Sequence, residues 1–320
     1  MRTDKSVKSS REHNVNYRWY TRVMDKYRSS GMYIPGVNVL IIQILALRFA
    51  RDKKAVNAYM SQHAESCTQW QDSLPFFFGF SSYRSGTVFL TNILKSEFPD
   101  WHIEHEANVD DYWNYPKVMR NEEEASKYFN EFRKAEICCR VGEDKSGVSG
   151  YGEVNPFLRL HAGAVKQAFP KAKLFHVVRD GRDVVRSIMS REILNRKDPM
   201  NRLIAPPAND PYVEEWDSMS RFEKVCWQWQ FDNAAIRKHV KHQLKFEEFR
   251  KDYNYFKSEL LDYLGLEMDP AHWESYTKKP KNITPKYAIE HWTKWSKSQQ
   301  GLFERICGDE MQALGYELNW

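Results

Sequence analysis

An apolar run changes into a loop of small and polar residues in Pro75-Phe76-Phe77-Phe78-Gly79-Phe80-Ser81-Ser82-Tyr83-Arg84-Ser85-Gly86-Thr87. The phenylalanines predict a buried β-strand, and the apolar residues of 88–94 predict an amphipathic helix behind the loop. A strand–loop–helix junction of this kind aims backbone N–H groups and the positive end of a helix at one point. We therefore expect the loop to bind an anion.

A second junction of the same kind lies about a hundred residues further along. Leu174-Phe175-His176-Val177-Val178 predicts the strand, and Arg179-Asp180-Gly181-Arg182-Asp183-Val184-Val185-Arg186-Ser187 predicts a loop that runs into a helix. Two anion-binding junctions in one domain indicate a ligand that is anionic at two places.

Composition narrows the class of protein. The chain has 320 residues, 42% of them apolar and 14% aromatic, which is typical of a globular protein. The net charge of +5 is modest, so we expect a small anionic ligand or acidic substrate and no nucleic-acid partner. The five cysteines are scattered and odd in number, so we interpret them as reduced and the protein as cytoplasmic.

The apolar segment Val37–Leu47 is the most lipid-like part of the chain. It is shorter than the roughly 20 residues that a membrane-spanning helix needs, so we expect no transmembrane anchor. Basic residues follow it, which leaves a peripheral membrane contact open. Residues 1–20 are polar and charged, unlike a signal peptide.

The pattern changes near residue 74. We expect residues 1–73 to form a helical N-terminal extension and 74–320 to form the main domain. Alternating strands and helices in the second part predict an α/β fold, with a mostly parallel sheet flanked by helices. We predict a strand at 137–141, irregular chain at 107–116, one helix from Pro156 to Phe169, a loop at 199–211 and a helix at 214–240.

The first loop differs from that of nucleotide-hydrolysing P-loop proteins. Those end in Gly-Lys-Ser/Thr, whereas here Arg84 precedes Gly86 and no lysine follows the glycine. Ser85, Gly86 and Thr87 can donate to one phosphate-like group. The sequence offers no convincing metal site, which counts against the alternative of a small-molecule kinase.

Both junctions resemble those of sulfotransferases that use 3′-phosphoadenosine 5′-phosphosulfate (PAPS), in the arginine-bearing form of bacterial and tyrosylprotein-type members with a P-loop-like fold. The first loop resembles their 5′-phosphosulfate loop, and Arg179 with Ser187 resembles their 3′-phosphate motif. The resemblance extends over about residues 74–317. It implies PAPS as cosubstrate, 3′-phosphoadenosine 5′-phosphate (PAP) as product, and no metal. The nucleotide-binding residues it implies are Ser82, Tyr83, Arg84, Ser85, Gly86, Thr87, Val88, Arg179 and Ser187.

The resemblance also implies an in-line displacement, in which Arg84 stabilises charge and a glutamate takes the acceptor's proton. Glu106 matches that glutamate best in position, and Glu104 and His105 remain alternatives.

Related groups carry a lysine where this chain has Val154 and Asn155. We expect the missing charge to come from Lys117, Arg120 or Lys286. Otherwise Glu153 and Asn155 serve the acceptor, and a role for Glu153 as a cap of the following helix is equally open.

We therefore predict a sulfotransferase acting on a hydroxyl or amine. A P-loop-type small-molecule kinase and a non-catalytic nucleotide-binding protein are the alternatives. A small molecule, a carbohydrate or a lipid could be the acceptor, read through residues 107–125 and 196–215. The sequence does not indicate an oligomeric state.

Overall fold

The computed structural model describes residues 37–141, 147–191, 193–195, 203–278 and 286–320. The predicted helical character of residues 1–36 and the first part of the predicted loop at 199–211 lie outside these residues. The mostly parallel α/β fold predicted from the sequence is confirmed.

Five parallel strands form one sheet in the order β2-β3-β1-β4-β5. They are β1 (Phe76–Phe80), β2 (Trp101–His105), β3 (Gly150–Val154), β4 (Lys173–Val178) and β5 (Gln243–Lys245). The strands that precede the two predicted loops, β1 and β4, are neighbours, with Phe80 opposite His176. Their carboxyl ends therefore meet at one edge of the sheet.

Helices cover both faces of the sheet. They are α1 (Val37–Ser73), α2 (Thr87–Glu97), α3 (Val109–Arg120), α4 (Glu123–Tyr128), α5 (Lys134–Val141), α6 (Ala162–Ala168), α7 (Gly181–Met189), α8 (Arg221–His239), α9 (Phe246–Phe249), α10 (Tyr253–Phe256), α11 (Asp262–Leu264), α12 (Pro270–Thr277) and α13 (Lys297–Ala313). A π-helical turn joins α4 to α5 (Phe129–Arg133) and another joins α10 to α11 (Lys257–Leu261), and short 3₁₀ helices lie at Pro156–Leu158 and Trp292–Lys294.

The phenylalanines of β1 pack on both faces of the sheet because successive side chains of a strand point to opposite faces. Phe76, Phe78 and Phe80 pack in one apolar core, and Phe77 packs in the core on the opposite face. Gly79 lies among them, and a Cβ there would come within 2.6 Å of the Phe175 ring. All five residues of β1 are buried, as expected for a central parallel strand.

The N-terminal helix α1 is fastened to the domain by a disulfide between Cys67 and Cys138, which joins it to α5. The expectation of reduced cysteines is wrong for this pair. No spacing signal marks two cysteines that are 71 residues apart. Gln71 Nε2 also donates to the Lys134 carbonyl at 3.1 Å. In the described part of the chain, no helix combines the length and the apolarity needed to cross a bilayer.

Several predicted elements are wrong in type or in bounds. Residues 137–141 belong to helix α5, and most of 107–116 lies in α3, which begins after the Asn108 cap. The predicted helix from Pro156 is a 3₁₀ turn followed by a separate helix α6. Helix α8 begins at Arg221, after a Ser220 capping box, and not near residue 214.

Candidate active site

The first loop places the start of helix α2 at the edge of the sheet. Gly86 is the N-cap of α2, with φ +85°, and Arg84 also has a left-handed backbone, with φ +64°. A Cβ on Gly86 would lie 2.3 Å from the Phe246 ring, so glycine is required by both conformation and space. The first turn of α2 carries no acidic residue. Its positive end is therefore available to an anion.

Hydroxyl groups brace this loop from inside. Ser82 and Ser85 are buried, with their Oγ atoms 3.3 Å apart, and Ser85 Oγ donates to the Ser82 carbonyl at 3.1 Å. Thr87 Oγ1 lies 3.0 Å from His105 Nε2, while Val88 is half-buried in the first turn of α2. These hydroxyls fix the shape of the loop and orient its amides.

The two predicted motifs meet through their arginines. Arg84 Nε donates to Ser187 Oγ at 3.0 Å, and Arg179 Nη1 donates to the Arg84 carbonyl at 2.9 Å. The Arg179 guanidinium also lies 4.9 Å from the centroid of the Phe246 ring, and its Nη2 is 3.4 Å from Asp183. The structure thus brings together residues that are 103 positions apart in the chain.

Positive charge concentrates around Arg84. Burial lowers the pKa of the Arg84 guanidinium, and the nearby charges of Arg191 and Arg179 lower it further. Tyr287 and Glu106 act in the opposite direction. A cluster of like charges in a partly buried site is stabilised when an anion binds.

A cavity of about 410 Å³ lies between the end of α7 and the segment that starts at residue 286. Its lining residues are Met189, Ser190, Arg191, Asn195, Arg221, Lys286, Tyr287 and Ala288. The Ala288 amide donates to Ser190 Oγ at 2.9 Å, which holds the two walls together. The described lining residues include basic side chains and no carboxylate, so this part of the cavity continues the positive surface around Arg84.

The three candidate bases follow one another at the end of β2 but have different surroundings. Glu104 Oε1 lies 3.1 Å from His102 Nε2. Burial alone would raise the pKa of Glu104. The contact with His102 and the charge of Arg140 outweigh burial and lower that pKa to about 2. Burial lowers the pKa of His105 to about 4, against the pull of Glu104. Both groups are therefore poor bases near neutral pH.

Glu106 interacts electrostatically with the cationic cluster. Its backbone is left-handed, with φ +49°, and its Oε2 lies 3.9 Å from His105 Nδ1. Its charge raises the pKa of Arg84, against the effect of burial and of the neighbouring arginines. Glu106 therefore shares the electrostatic environment of the first loop.

Glu153 and Asn155 belong to a buried network beneath the end of β3. Arg133 Nη2 donates to both oxygens of Glu153, at 2.6 and 2.7 Å, and its Nε donates to Asp111 at 3.0 Å. Asn155 Nδ2 donates to Asp111 and to Glu153, and Asn155 Oδ1 accepts from the Phe157 amide. The cap of the 3₁₀ turn is therefore Asn155 and not Glu153. Because Glu153 is fully buried and paired, this network supports the site structurally.

The proposed replacements for the family lysine lie in different places. Lys117 is exposed on α3, and Arg120 Nη2 donates to the Leu203 carbonyl at 3.2 Å. Lys286 lines the basic cavity. Among these three, Lys286 is the cation that shares a cavity with Arg191, whose charge acts on Arg84.

Sequence reasoning missed Arg191, Tyr287 and Phe246. Arg191 lies two residues beyond the end of α7, so helical spacing does not mark it as a site residue. Tyr287 and Phe246 reach the site through tertiary packing, for which the sequence gives no signal. Over the described residues, no group of three or more His, Cys, Asp or Glu side chains is arranged to hold a metal ion.

Comparison with known proteins identifies the family. A family model described as "Sulfotransferase family" matches residues 75–270. Because this match extends over more than half of the chain, the protein belongs to the sulfotransferase family. No curated protein sequence is similar enough to this chain to count as a match.

The comparison with solved structures finds sulfotransferases at TM-scores below 0.5. The sulfotransferase STF9 from Mycobacterium avium is 12% identical, with a TM-score of 0.49 over 92% of this chain and 89% of that one. STF1 from Mycobacterium tuberculosis H37Rv is 11% identical, with a TM-score of 0.45 over 91% and 92%. The sulfotransferase domain from the curacin biosynthetic pathway is 13% identical, with a TM-score of 0.43 over 77% and 99%.

Proposed function

We propose that this chain moves the sulfuryl group of PAPS to a hydroxyl or amine of an acceptor by in-line displacement and releases PAP. The observation that carries the proposal is the meeting of the two loops, in which Arg84 donates to Ser187 at 3.0 Å and Arg179 donates to the Arg84 carbonyl at 2.9 Å. PAPS carries a phosphosulfate and a separate 3′-phosphate, and a nucleotide of that kind requires two adjacent anion sites.

The chemistry of the donor set fits this ligand. The amides of Ser85, Gly86 and Thr87 at the start of α2 suit the phosphosulfate, while Arg179 and Ser187 suit the 3′-phosphate. The remaining loop residues predicted to line the donor site are Ser82, Tyr83 and Val88. Binding would exchange the Arg84–Ser187 contact for contacts with the ligand. It would also relieve the repulsion that lowers the pKa of Arg84.

In the transfer step, the acceptor atom forms a bond to sulfur while the bond between sulfur and the nucleotide phosphate oxygen breaks. Arg84 and the loop amides stabilise the charge that develops on the leaving oxygen. Glu106 receives the proton that the acceptor loses. His105 is neutral near neutral pH and orients Thr87 through their 3.0 Å contact.

The proposal includes a division of the chain, with 74–320 as the transferring domain and 1–73 as its extension. The acceptor is proposed to be a small molecule, a carbohydrate or a lipid, and no metal takes part. We keep a cytoplasmic location as part of the proposal. The Cys67–Cys138 bond is more typical of oxidising compartments, so a pair that alkylation of fresh cell extract finds fully oxidised would count against that location.

The first test is calorimetric titration of the full chain with PAP in the absence of metal. We expect Arg179→Ala and Ser187→Ala to weaken PAP binding by about tenfold or more each, since each removes a direct contact with the 3′-phosphate. Arg305→Ala is the matched control because Arg305 is a surface arginine that pairs with Glu215 and Glu223. AMP, which lacks the 3′-phosphate, should bind the wild type weakly. Its affinity should differ little between the wild type and the variants.

Two results would contradict the proposal. The first is no binding of PAP to the wild type. The second is binding of ATP with Mg²⁺ in preference to PAP, which would favour the kinase alternative. Tight PAP binding without turnover of PAPS on any acceptor would favour a non-catalytic nucleotide-binding protein.

A further inference from the structure

Positive charge is concentrated at the N-terminal end of the chain. Residues 1–54 contain twelve Lys and Arg against four Asp and Glu, while the whole chain contains 48 against 43. Residues 55–320 therefore contain slightly more acidic than basic residues. A block of charge this uneven indicates an anionic partner for the N-terminal region and not for the whole surface.

The same region exposes a row of large apolar side chains. Leu40, Ile44 and Leu47 are 55%, 52% and 74% exposed, and they are the large apolar side chains that are exposed in the described part of the chain. Their spacing of four and three residues places them on one face of α1. Among the described side chains of α1, Phe49 and Val56 pack against the apolar core.

The apolar row is followed at once by basic residues. Arg51 is exposed along two thirds of its side chain, and Lys54 is also exposed. The carboxylate nearby is that of Asp52, which is shared between Arg48 and Arg51, so the cluster keeps a positive excess. Lys53 is paired with Glu131 across the junction with the domain.

Helix α1 holds the apolar row and the basic residues after it in a fixed position relative to the domain. The Cys67–Cys138 disulfide, the Gln71 contact with the Lys134 carbonyl and the Lys53–Glu131 pair all lie beyond the apolar row. A helix anchored at one end presents its other end as a rigid projection. Within the described residues, α1 does not combine the length and the apolarity that a bilayer-spanning helix needs.

We propose that the N-terminal end of α1 docks on the surface of a membrane that contains anionic lipid. Leu40, Ile44 and Leu47 enter the boundary between headgroups and acyl chains, and Arg51 and Lys54 contact lipid phosphates and carboxylates. An anionic membrane fits better than a second copy of this chain, because a second copy would bring the same positive charge to the contact. This inference does not depend on the sulfotransferase reaction.

The test is co-sedimentation of the full chain with vesicles of phosphatidylcholine alone or mixed in equal parts with phosphatidylserine. We expect binding to the mixed vesicles that weakens as salt is added, and little binding to phosphatidylcholine alone. Leu40→Ser/Ile44→Ser/Leu47→Ser should reduce binding to the mixed vesicles by about tenfold or more. Arg51→Gln/Lys54→Gln should reduce it by a similar factor and flatten the salt dependence.

The matched control is Ala55→Ser/Ala58→Ser/Gln62→Ser, which places three serines at exposed positions on the same helix but outside the apolar row. Circular dichroism verifies that each variant is folded. A wild type that stays in the supernatant with the mixed vesicles overturns the proposal, as does a triple variant in the apolar row that binds like the control. A wild-type dimer that the same triple variant converts to monomer, without vesicle binding, would assign the row to a second copy instead.

Discussion

Replacing Arg159 with methionine tests how the first loop is held in place. Arg159 is fully buried, and its guanidinium lies 4.2 Å from the Tyr83 ring centroid and 3.6 Å from that of Tyr115. Its Nη2 donates to the Tyr83 hydroxyl at 3.0 Å. Its Nε lies 2.7 Å from Asp232 Oδ2, in an ion pair that is not aligned as a hydrogen bond. Arg159 therefore links the predicted donor loop to helix α8.

Arg159→Met should lower the free energy of unfolding because it leaves the buried carboxylate of Asp232 without its cationic partner. Asp232 is also buried, and without Arg159 its carboxylate would have the Tyr115 hydroxyl, at 2.7 Å, as its remaining hydrogen-bond donor among the contacts described. Removing one partner of a buried ion pair costs about 3–5 kcal/mol. For a chain of this size, we expect a fall in Tm of about 10 °C. Asp232→Asn in the same chain removes the unpaired charge and keeps an acceptor for Tyr115, so the double variant should recover most of the loss.

The loss should also depend on pH. Burial raises the pKa of Asp232 to about 6 even with Arg159 beside it, and removal of Arg159 would raise that pKa further. A carboxyl whose pKa is higher in the folded state than in the unfolded state binds protons more tightly when folded. Its destabilising effect is complete above the folded pKa and is relieved as the pH falls.

Urea unfolding of wild type, both single variants and the double variant at about pH 8 and about pH 5 measures this effect. We expect the difference between wild type and Arg159→Met to be smaller at the lower pH. The reasoning is refuted if that difference is the same at both pH values and the double variant is no more stable than Arg159→Met.

Three further predictions concern the loop, the base and the disulfide. Gly86→Ala should weaken PAP binding by about tenfold or more, because φ +85° strains any side chain and the new Cβ meets the Phe246 ring. Gly301→Ala, in open space on α13, is the control, and equal affinities in calorimetry would contradict this account. Glu106→Gln should lower kcat by about 10²–10⁴ with PAP affinity unchanged, and a rate within twofold of wild type would exclude Glu106 as the base. Cys67→Ser should reduce the free energy of unfolding by about 4 kcal/mol, and an unchanged urea midpoint under non-reducing conditions would exclude a stabilising disulfide.

The sequence was sufficient for the parts of the fold that repeat a simple pattern. Continuous apolar runs followed by small residues mark the two strands that meet at the site, and both loops lie where they were predicted. The contact between Arg84 and Ser187 follows from the adjacency of β1 and β4, which the parallel-sheet prediction implied but did not specify. The assignment of roles to these residues remains a prediction.

Short apolar runs were less informative because they do not separate strand from helix. The run at 137–141 is helical, and ion pairs along that helix help to explain why. Glu136 lies three residues after Arg133 and four before Arg140, at the spacing that stabilises helices, and it pairs with both. Asn108 caps α3 in a region whose Asn, Asp and Pro residues suggested irregular chain. In both cases side-chain contacts decided the local conformation.

The candidate bases could be ranked, and the buried network around Glu153 could be found, only from the structure. Three successive titratable residues at the end of β2 cannot be ranked from their order alone, since their pKa values depend on burial and on partners such as His102 and Arg140. Glu153, expected either to serve the acceptor or to cap the following helix, is fully buried against Arg133.

The disulfide has a topological consequence for the candidate site. The bond between Cys67 and Cys138 closes a covalent ring that contains β1, the first loop, α2 and β2, and therefore both Arg84 and Glu106. A single backbone cut by a protease between the two cysteines would open the ring without releasing a fragment. The nicked protein would run as one band on a non-reducing gel and as two after reduction, with the first loop still tethered to the rest of the sheet.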